Sequence, residues 1–336
     1  MFFALTDDQR EFGTAVTTYL AERFDLEAVR RVVEDPSGDG NPDALWKAAA
    51  EQGWLAVTVP EEHDGLGLGL VEAQVIARSL GAGVAPGPWR GTVLAAEAIR
   101  LAGSPEQQAA WLPKLASGEA VGAFSLRANG SAVEYPAIAD VVVLRDGDGL
   151  VLAERGGFTA EPVGSYDGTT RLAHVAVGKS EALPGADAAT VADLTARATV
   201  LVASDLAGVA REAITRTVAY DREREQFGVP VGSFQAIKHA LADLHVGVTM
   251  AEHAVLYAAH AADTGADGAD LAVAVAKAKA SDAALAATAA MIQYHGGIGY
   301  TWEHEAHLFY KRAKRLAGQY GDADAQRERI ATLTMG

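Results

Sequence analysis

Apolar residues recur at helical spacing through the first third of the chain. Thr6 is a suitable N-cap, and Phe12, Val16 and Leu20 follow it four residues apart. This pattern predicts an opening helix. Similar patterns predict helices over 42–53, 71–80, 93–101 and 105–115, a polar and turn-prone segment over 25–40, and a short extended piece over 57–60.

The pattern changes near Gly118, where apolar and polar residues begin to alternate as they do in strands. Gly147-Asp148-Gly149 is a good turn between two of the alternating runs. The alternation predicts strands over Ala139–Leu144, Leu150–Ala153, Phe158–Val163 and Leu172–Val177.

Helical spacing returns after residue 187 and continues to the end of the chain. Four long helices are predicted, over 192–223, 233–262, 267–295 and 303–316. The fold class is therefore α+β and mainly α, with an N-terminal helical domain, a small middle β domain and a C-terminal four-helix bundle. The predicted domains are residues 1–118, 119–187 and 188–336.

Composition narrows the classes of protein that this chain can represent. Cysteine is absent among the 336 residues, so disulfides, thiolate chemistry and Cys-ligated metals are excluded. A formal net charge of −16 argues against nucleic acid and anionic membranes as partners, because both require clustered Lys and Arg. The start shows no basic segment of a signal peptide, and no apolar run is long enough for a membrane span. We expect a soluble, cytoplasmic protein.

Two short segments of the C-terminal part, residues 224–235 and 293–297, contain side chains suited to binding a ligand. They combine a guanidinium, aromatic rings, amides and paired glycines, which suit the phosphates, adenine and ribose of a nucleotide. The alternative is that Arg224 only caps a helix and that Gly296-Gly297 only ends one. The candidate binding residues are Arg224, Gln226, Phe227, Phe234, Gln235, Gln293, Gly296 and Gly297.

These residues and their order resemble the acyl-CoA dehydrogenase family. Arg224 to Gly228 is similar to its R-x-x-F-G element, and Gln293 to Gly297 to its Q-x-x-G-G element. Weaker landmarks extend the resemblance over nearly the whole chain: Leu5–Arg10, Trp46–Trp54, Val59–Glu62, Gly65–Gly67 and Leu112–Glu119. The resemblance implies FAD as cofactor and acyl-CoA as substrate. It also implies that the eight residues hold the ADP half of an FAD seated in a neighbouring subunit.

One departure from the family concerns its catalytic base. Many members carry a Glu in a Tyr-Glu-Gly-Thr turn, but the corresponding segment here is Gln319–Asp322, with Tyr320 at the position of the Glu. A phenol with a pKa near 10 is a poor base at neutral pH. The family's other base position falls on Ala198-Thr199, where a carboxylate is also missing. The expectation is that this chain has no catalytic residue of its own.

A second departure concerns the β domain, which is short. Ser125 is followed closely by Asn129-Gly130-Ser131 and then, without an intervening strand, by Ala139. The strand that carries the family's flavin-facing Trp therefore has no counterpart. Ser165–Arg171 still resembles a later landmark of the domain, so the domain is shortened and not deleted.

Together, the two departures predict a partner. The chain resembles the shortened subunit, without a base, of actinobacterial heterotetrameric acyl-CoA dehydrogenases, some of which act on steroid side-chain CoA thioesters. In that interpretation, the chain gives the ADP side of the FAD site to an α2β2 assembly, and a catalytic subunit supplies the Glu base and the flavin pocket. Two alternatives stay open: a self-sufficient homodimer with another base or another CoA chemistry, and a non-catalytic scaffold without flavin.

Two further groups of residues invite other interpretations. His304 and His307 lie three residues apart, but the Glu-x-x-His pairs of a di-iron bundle are missing, so packed or solvated histidines are favoured. A basic cluster near the end of the last predicted bundle helix either complements the helix dipole or contacts a phosphate or a partner subunit. This cluster consists of Lys311, Arg312, Lys314 and Arg315.

Overall fold

The structure is a computed structural model that describes residues 4–127 and 129–336. It confirms the predicted fold class, with many helices and a small sheet region. The chain forms two compact units. The bundle unit consists of the N-terminal residues up to Leu26, Gln74–Ala85 and Thr199–Gly336, and the sheet unit consists of Glu27–Ala73 and Pro86–Ala198. The three predicted domains divide the chain by another criterion, and their bounds stay a prediction.

Seven of the described helices lie before or at the start of the C-terminal part. Thr6 caps the first of them as predicted, with the reciprocal bonds of a capping box: the Gln9 N–H donates to Thr6 Oγ1 (3.2 Å) and the Thr6 N–H to Gln9 Oε1 (2.9 Å). The helices are α1 (Asp7–Arg23), α2 (Leu26–Glu34), α3 (Asp43–Glu51), α4 (Leu70–Ala82), α5 (Trp89–Ala102), α6 (Pro105–Ala116) and α7 (Ala188–Glu223).

The sheet unit contains two small sheets whose apolar faces share one core. The first has the strand order β1-β3-β4-β7, in which β1 pairs in parallel with β3, and the second has the order β2-β6-β5. Buried residues of both sheets meet in a cluster that includes Ala123, Val142 and Val175. The strands are β1 (Gly122–Ser125), β2 (Ala132–Glu134), β3 (Val141–Asp146), β4 (Gly149–Glu154), β5 (Phe158–Val163), β6 (Leu172–Val177) and β7 (Glu181–Ala182).

The bundle unit is built around α9 (Ala269–Tyr294), which packs against α8 (Gln235–Thr264), α10 (Ala306–Ala317) and α11 (Ala323–Met335). A buried ion pair joins α10 to α7: the Arg312 guanidinium donates to both carboxylate oxygens of Asp205, at 2.9 and 2.8 Å. Within the part of the chain that the structure describes, no helix is long and apolar enough to cross a membrane.

The structure corrects several predictions of local structure. Residues 25–40 are not all turn, because α2 occupies Leu26–Glu34. Residues 57–60 are not extended but form a packed turn, in which the carbonyl oxygens of Val57 and Val59 accept hydrogen bonds from Leu68 and Gly67. The interval between Ser131 and Ala139 contains the short strand β2, and the helix α11 was missed altogether.

Candidate cofactor site

The helix α7 ends at Glu223 and leads directly into a two-stranded hairpin, β8 (Glu225–Gln226) and β9 (Val229–Pro230). Phe227 (φ 56°) and Gly228 (φ 78°) connect the two strands. Positive φ at both central residues is typical of a type I′ turn, which matches the twist of the paired strands. The turn leaves Phe227 94% exposed. The hairpin therefore presents an aromatic ring to solvent, and its own chain does not cover it.

A second aromatic residue lies beside this ring. Phe234 meets Phe227 edge-on, with ring centroids 6.3 Å apart and an interplanar angle of 85°. Phe234 is also the N-cap of α8, where it forms no side-chain capping bond, and the first turn of α8 contains no acidic residue. Because the N-terminus of a helix has unsatisfied N–H groups and a positive dipole end, this end of α8 suits a phosphate.

Arg224 lies at the base of the hairpin. Its backbone is fixed on both sides, because its N–H donates to the Tyr220 carbonyl (2.8 Å) and its carbonyl accepts from the Val231 N–H (2.8 Å). Its side chain is exposed, as are those of Gln226 and Gln235. A guanidinium and two amides thus share one segment with the aromatic pair.

The remaining predicted residues follow in a turn at the end of α9. Gln293 is exposed in the last turn of this helix, and Gly296 has a φ of 64°, which favours glycine. Gly297 has an ordinary helical conformation, and a Cβ built on it would meet no atom of the described residues within 4 Å. Neither conformation nor packing among the described residues explains a glycine at 297. The bare backbone fits a ligand that approaches closely.

A stack of rings joins the two segments. His295, directly before Gly296, stacks on Tyr220, one helical turn before Arg224, with centroids 4.4 Å apart and an angle of 26°. His295 also meets His304, with ring centroids 4.4 Å apart and an interplanar angle of 51°. The stack therefore links the end of α7, one helical turn before Arg224, to the residue directly before Gly296. No sequence pattern predicted this stack, because its three rings come from distant positions.

Comparison with known families identifies the family of the chain. The acyl-CoA dehydrogenase C-terminal domain model matches residues 188–334, and the N-terminal domain model matches residues 6–119. The chain belongs to the acyl-CoA dehydrogenase family. It is thus an oxidoreductase chain of a family that acts on acyl-CoA, and the family implies FAD as the cofactor.

Two mycobacterial relatives match over almost their whole length. The chain is 38% identical over 312 residues to acyl-CoA dehydrogenase IpdE2 of Mycobacterium tuberculosis, covering 91% of both chains. It is 37% identical over 326 residues to the IpdE2 of Mycolicibacterium smegmatis, covering 96% of this chain and 98% of the relative. The family assignment is therefore supported across both units of the structure.

Solved structures of the family include complexes of similar chains. A chain of the ChsE4–ChsE5 complex from Mycobacterium tuberculosis is 25% identical, with a TM-score of 0.89 and full coverage of both chains. A chain of the Tcur3481–Tcur3483 steroid acyl-CoA dehydrogenase G363A variant is 26% identical, with a TM-score of 0.87 and 97% coverage of both chains. Chains of this fold thus occur in heteromeric members of the family.

The turn at which many acyl-CoA dehydrogenases carry their base is firmly held. Tyr320 (φ 54°) and Gly321 (φ 88°) lie between α10 and α11. The ammonium group of Lys277, which is fully buried, donates to the carbonyls of Ala317 (2.9 Å) and Gly321 (3.0 Å). Gln326 Nε2 donates to the Tyr320 carbonyl at 2.7 Å. The left-handed backbone at Tyr320 is therefore maintained by buried and partly buried hydrogen bonds.

Asp322, the next residue of this turn, has a structural role that the sequence did not reveal. Its carboxylate accepts a hydrogen bond from the Ala325 N–H (2.9 Å) and caps α11. Its exposed position and its place two residues after Tyr320 do not make it a replacement for the Glu. Ala198 and Thr199, at the family's other base position, are buried on α7.

Asp221 is a carboxylate that sequence reasoning missed. It is 1% exposed, and neither of its oxygens has a hydrogen-bond partner in the described chain. Burial raises its pKa to about 6. Its backbone lies against Gly232, where an added Cβ would come within 2.9 Å of the Asp221 carbonyl oxygen. This carboxylate thus lies at the base of the hairpin that carries Phe227.

The structure also shows the surroundings of the two histidines and of the basic cluster on α10. Among residues 4–127 and 129–336, no group of three or more His, Asp or Glu side chains is placed to hold a metal. His304 is instead part of the ring stack, and His307 meets the ring of Trp302 at 4.9 Å. In the basic cluster, Arg312 is buried and paired with Asp205, so it is not available to a phosphate.

Proposed function

We propose that this chain is one subunit of an FAD-dependent acyl-CoA dehydrogenase that desaturates an acyl-CoA thioester between its α and β carbons. Its role is to provide the ADP side of the FAD site. The observation that carries the proposal is that all eight predicted nucleotide contacts are exposed on the single chain, while the turn expected to hold the base carries Tyr320. A site of this kind is a half-site, and it is complete only against another chain.

The ADP-binding role follows from the chemistry of the exposed groups. The Arg224 guanidinium and the N-terminus of α8 would bind the pyrophosphate, and the Phe227–Phe234 pair would contact the adenine. The amides of Gln226, Gln235 and Gln293 provide hydrogen bonds, and the backbone of Gly296 and Gly297 allows the ribose to approach. When bound, FAD would accept the hydride that leaves the acyl chain.

The partner follows from what this chain lacks. A base near neutral pKa is required to remove the α proton, and at the position of the family's Glu this chain carries the phenol of Tyr320. The strand β2 has three residues, which is too short to replace the family's flavin-covering strand. A catalytic acyl-CoA dehydrogenase subunit would supply the Glu base and the flavin pocket, in an α2β2 heterotetramer. The steroid acyl-CoA dehydrogenase among the similar structures supports a steroid side-chain CoA as substrate.

Flavin content tests the proposal. The chain is purified alone and after co-expression with a catalytic acyl-CoA dehydrogenase subunit, and the visible flavin absorbance is measured relative to protein. We expect the chain alone to bind FAD poorly and the co-purified complex to be yellow and active. Stoichiometric FAD in the chain alone, with dehydrogenase activity, would instead establish a self-sufficient homo-oligomer. A complex without flavin would establish a scaffold.

A further inference from the structure

The stack of Tyr220, His295 and His304 connects three different parts of the bundle unit. Tyr220 belongs to α7, His295 ends α9, and His304 lies in the segment before α10. The rings are in van der Waals contact, and the central ring, that of His295, is buried. No ring of the stack belongs to the eight predicted nucleotide contacts.

Hydrogen bonds fix the orientation of both histidines. His295 Nδ1 lies 2.7 Å from the Met291 carbonyl oxygen, and since a carbonyl only accepts, Nδ1 carries the proton. His304 Nδ1 accepts from the Ala306 N–H at 3.1 Å. Each ring is thus held by the backbone of its own segment. A ring held in this way transmits the position of one segment to the next.

The surroundings favour an uncharged His295. Burial is the largest influence on the pKa of His295 and lowers it, whereas the hydrogen bond to the Met291 carbonyl comes next and raises it. Weaker influences come from His304 and Arg216, which lower the pKa, and from Glu305, which raises it. Arg216 is in turn paired with Glu305 at 3.1 Å. At neutral pH the neutral imidazole stacks without bringing a further positive charge beside these groups.

The position of the stack connects it to the cofactor site. The backbone N–H of Arg224 donates to the carbonyl of Tyr220, so the ring of Tyr220 and the start of the hairpin move together. His295 is covalently joined to Gly296, and the Gly296 N–H donates to the Gln293 carbonyl at 3.2 Å. Contact between the two rings therefore sets the distance between the guanidinium segment and the glycine turn.

We propose that His295 is a positioning residue of the FAD site. Its ring, held between Tyr220 and His304, fixes the Gly296–Gly297 turn relative to the end of α7, where Arg224 begins the hairpin. The proposal rests on the proposed function, because it requires that both segments contact the ADP half of one FAD. His295 itself contacts no cofactor in this proposal.

The test compares three variants in the co-purified complex with its catalytic partner. His295→Ala removes the ring, and His295→Phe keeps a ring of similar size without the hydrogen bond. Val273→Ala removes buried methyl groups elsewhere on α9 and controls for a general loss of stability. For each variant, FAD is removed and titrated back by flavin fluorescence, Tm is measured, and amide hydrogen exchange is followed at residues 296–300 without FAD.

We expect His295→Ala to raise the Kd for FAD roughly tenfold and to speed exchange in the glycine turn, since two aromatic contacts are lost. His295→Phe should restore most of the FAD affinity and most of the protection from exchange. Val273→Ala should lower Tm but leave the Kd for FAD within about twofold of that of the unchanged complex. Unchanged FAD binding in His295→Ala, no rescue by His295→Phe, or an equal loss of affinity in Val273→Ala would each overturn the positioning role. If the unchanged complex binds no FAD, the proposed function fails as well.

Discussion

At the scale of single residues, Arg224 is the charged group of the predicted nucleotide site. Its backbone is fixed at the base of the hairpin and its side chain is exposed. We expect Arg224→Ala to weaken FAD binding by the assembled protein by about 1.5–3 kcal/mol, the contribution of a hydrogen bond to a charged group. The measurement is FAD release from the purified complex on dilution.

Arg222 and Tyr320 provide controls for this variant. Arg222 is an exposed arginine two residues away, so Arg222→Ala should retain FAD if the effect is specific and not a consequence of net charge. Tyr320→Phe should retain both FAD and turnover, because the base is assigned to the partner. Loss of turnover in Tyr320→Phe with FAD still bound would show that the phenol takes part in the reaction.

Asp221 gives a prediction about stability and pH. Its pKa is raised from 3.8 to about 6 in the folded protein by burial, so the folded state binds the proton more tightly than the unfolded chain. The protein therefore loses stability as pH rises between these values, and at neutral pH it contains a buried, ionised carboxylate. We expect Asp221→Ala to raise the free energy of unfolding by about 1–3 kcal/mol at neutral pH. The gain should shrink towards pH 4, as followed by urea denaturation.

Asp221→Asn separates charge from packing. It keeps the size and the unsatisfied polar group but cannot ionise, so its stability should not share the decline of the unchanged protein between pH 4 and pH 6. If the unchanged protein and the Asn variant show the same pH dependence, the pKa of Asp221 is not raised in the folded protein and the prediction is wrong.

For Lys277, the expected change of stability with pH has the opposite sign. Burial lowers its pKa from 10.5 to about 8, against the nearby Asp322, so above pH 8 the unfolded chain holds a proton that the folded protein has released. Stability should therefore rise with pH between about 8 and 10.5, by about 1–3 kcal/mol relative to Lys277→Met. At neutral pH, Lys277→Met should be less stable than the unchanged protein, because the carbonyls of Ala317 and Gly321 lose their hydrogen-bond donor. Urea denaturation of both proteins over this pH range is the measurement.

At the scale of elements, the buried Arg312–Asp205 pair joins α10 to α7, and Arg312 also donates to the Ala85 carbonyl at 3.0 Å. Arg312→Met would leave the Asp205 carboxylate buried without its guanidinium, which costs about 3–5 kcal/mol. We expect a large fall in Tm. Lys314→Met, at an exposed position of the same helix, should be nearly neutral. Equal effects of both variants would show that the loss came from helix charge and not from the buried pair.

Sequence patterns predicted the elements whose burial follows a simple period. The long helices α7 to α10 and the strands β3 to β6 all lie where periodicity placed them. The extended piece predicted over 57–60 was wrong, because buried β-branched residues such as Val57 and Val59 also occur in packed turns. The helix α11 was missed because its single buried position, Gln326, leaves no apolar stripe.

The candidate site also contains features that the sequence could predict and features that it could not. The eight candidate nucleotide contacts could be proposed from the sequence because each group of them is contiguous and resembles a family motif, and their role stays a prediction. The Tyr220–His295–His304 stack and the Lys277 bonds to the Tyr320 turn could not, since they join residues from distant positions. Asp221 could not be distinguished from its exposed neighbours Arg222 and Glu223 without its burial. Long-range contacts of this kind follow only from the folded chain.

At the scale of the whole molecule, the number of cofactors follows from the proposed division of labour. In the family, the residue after the Glu-Gly pair is commonly a Thr whose hydroxyl approaches the cofactor, but here that residue is Asp322. The carboxylate of Asp322 is exposed and caps α11, and Asp324 lies two residues further on. Two unit charges 4 Å apart repel by about 4 kcal/mol at an effective dielectric constant of 20. A flavin pyrophosphate beside this turn would therefore be disfavoured.

We accordingly expect one of the two FAD sites in each pair of unlike chains to be vacant. The site formed by the partner's flavin pocket and this chain's Arg224 hairpin would be filled, and the converse site, beside the Tyr320 turn of this chain, would be empty. The measurement is flavin absorbance against the amount of each chain in the co-purified complex. One FAD per two chains agrees with this division, whereas one FAD per chain would show that the Asp322 turn accepts a cofactor and that the repulsion is overcome.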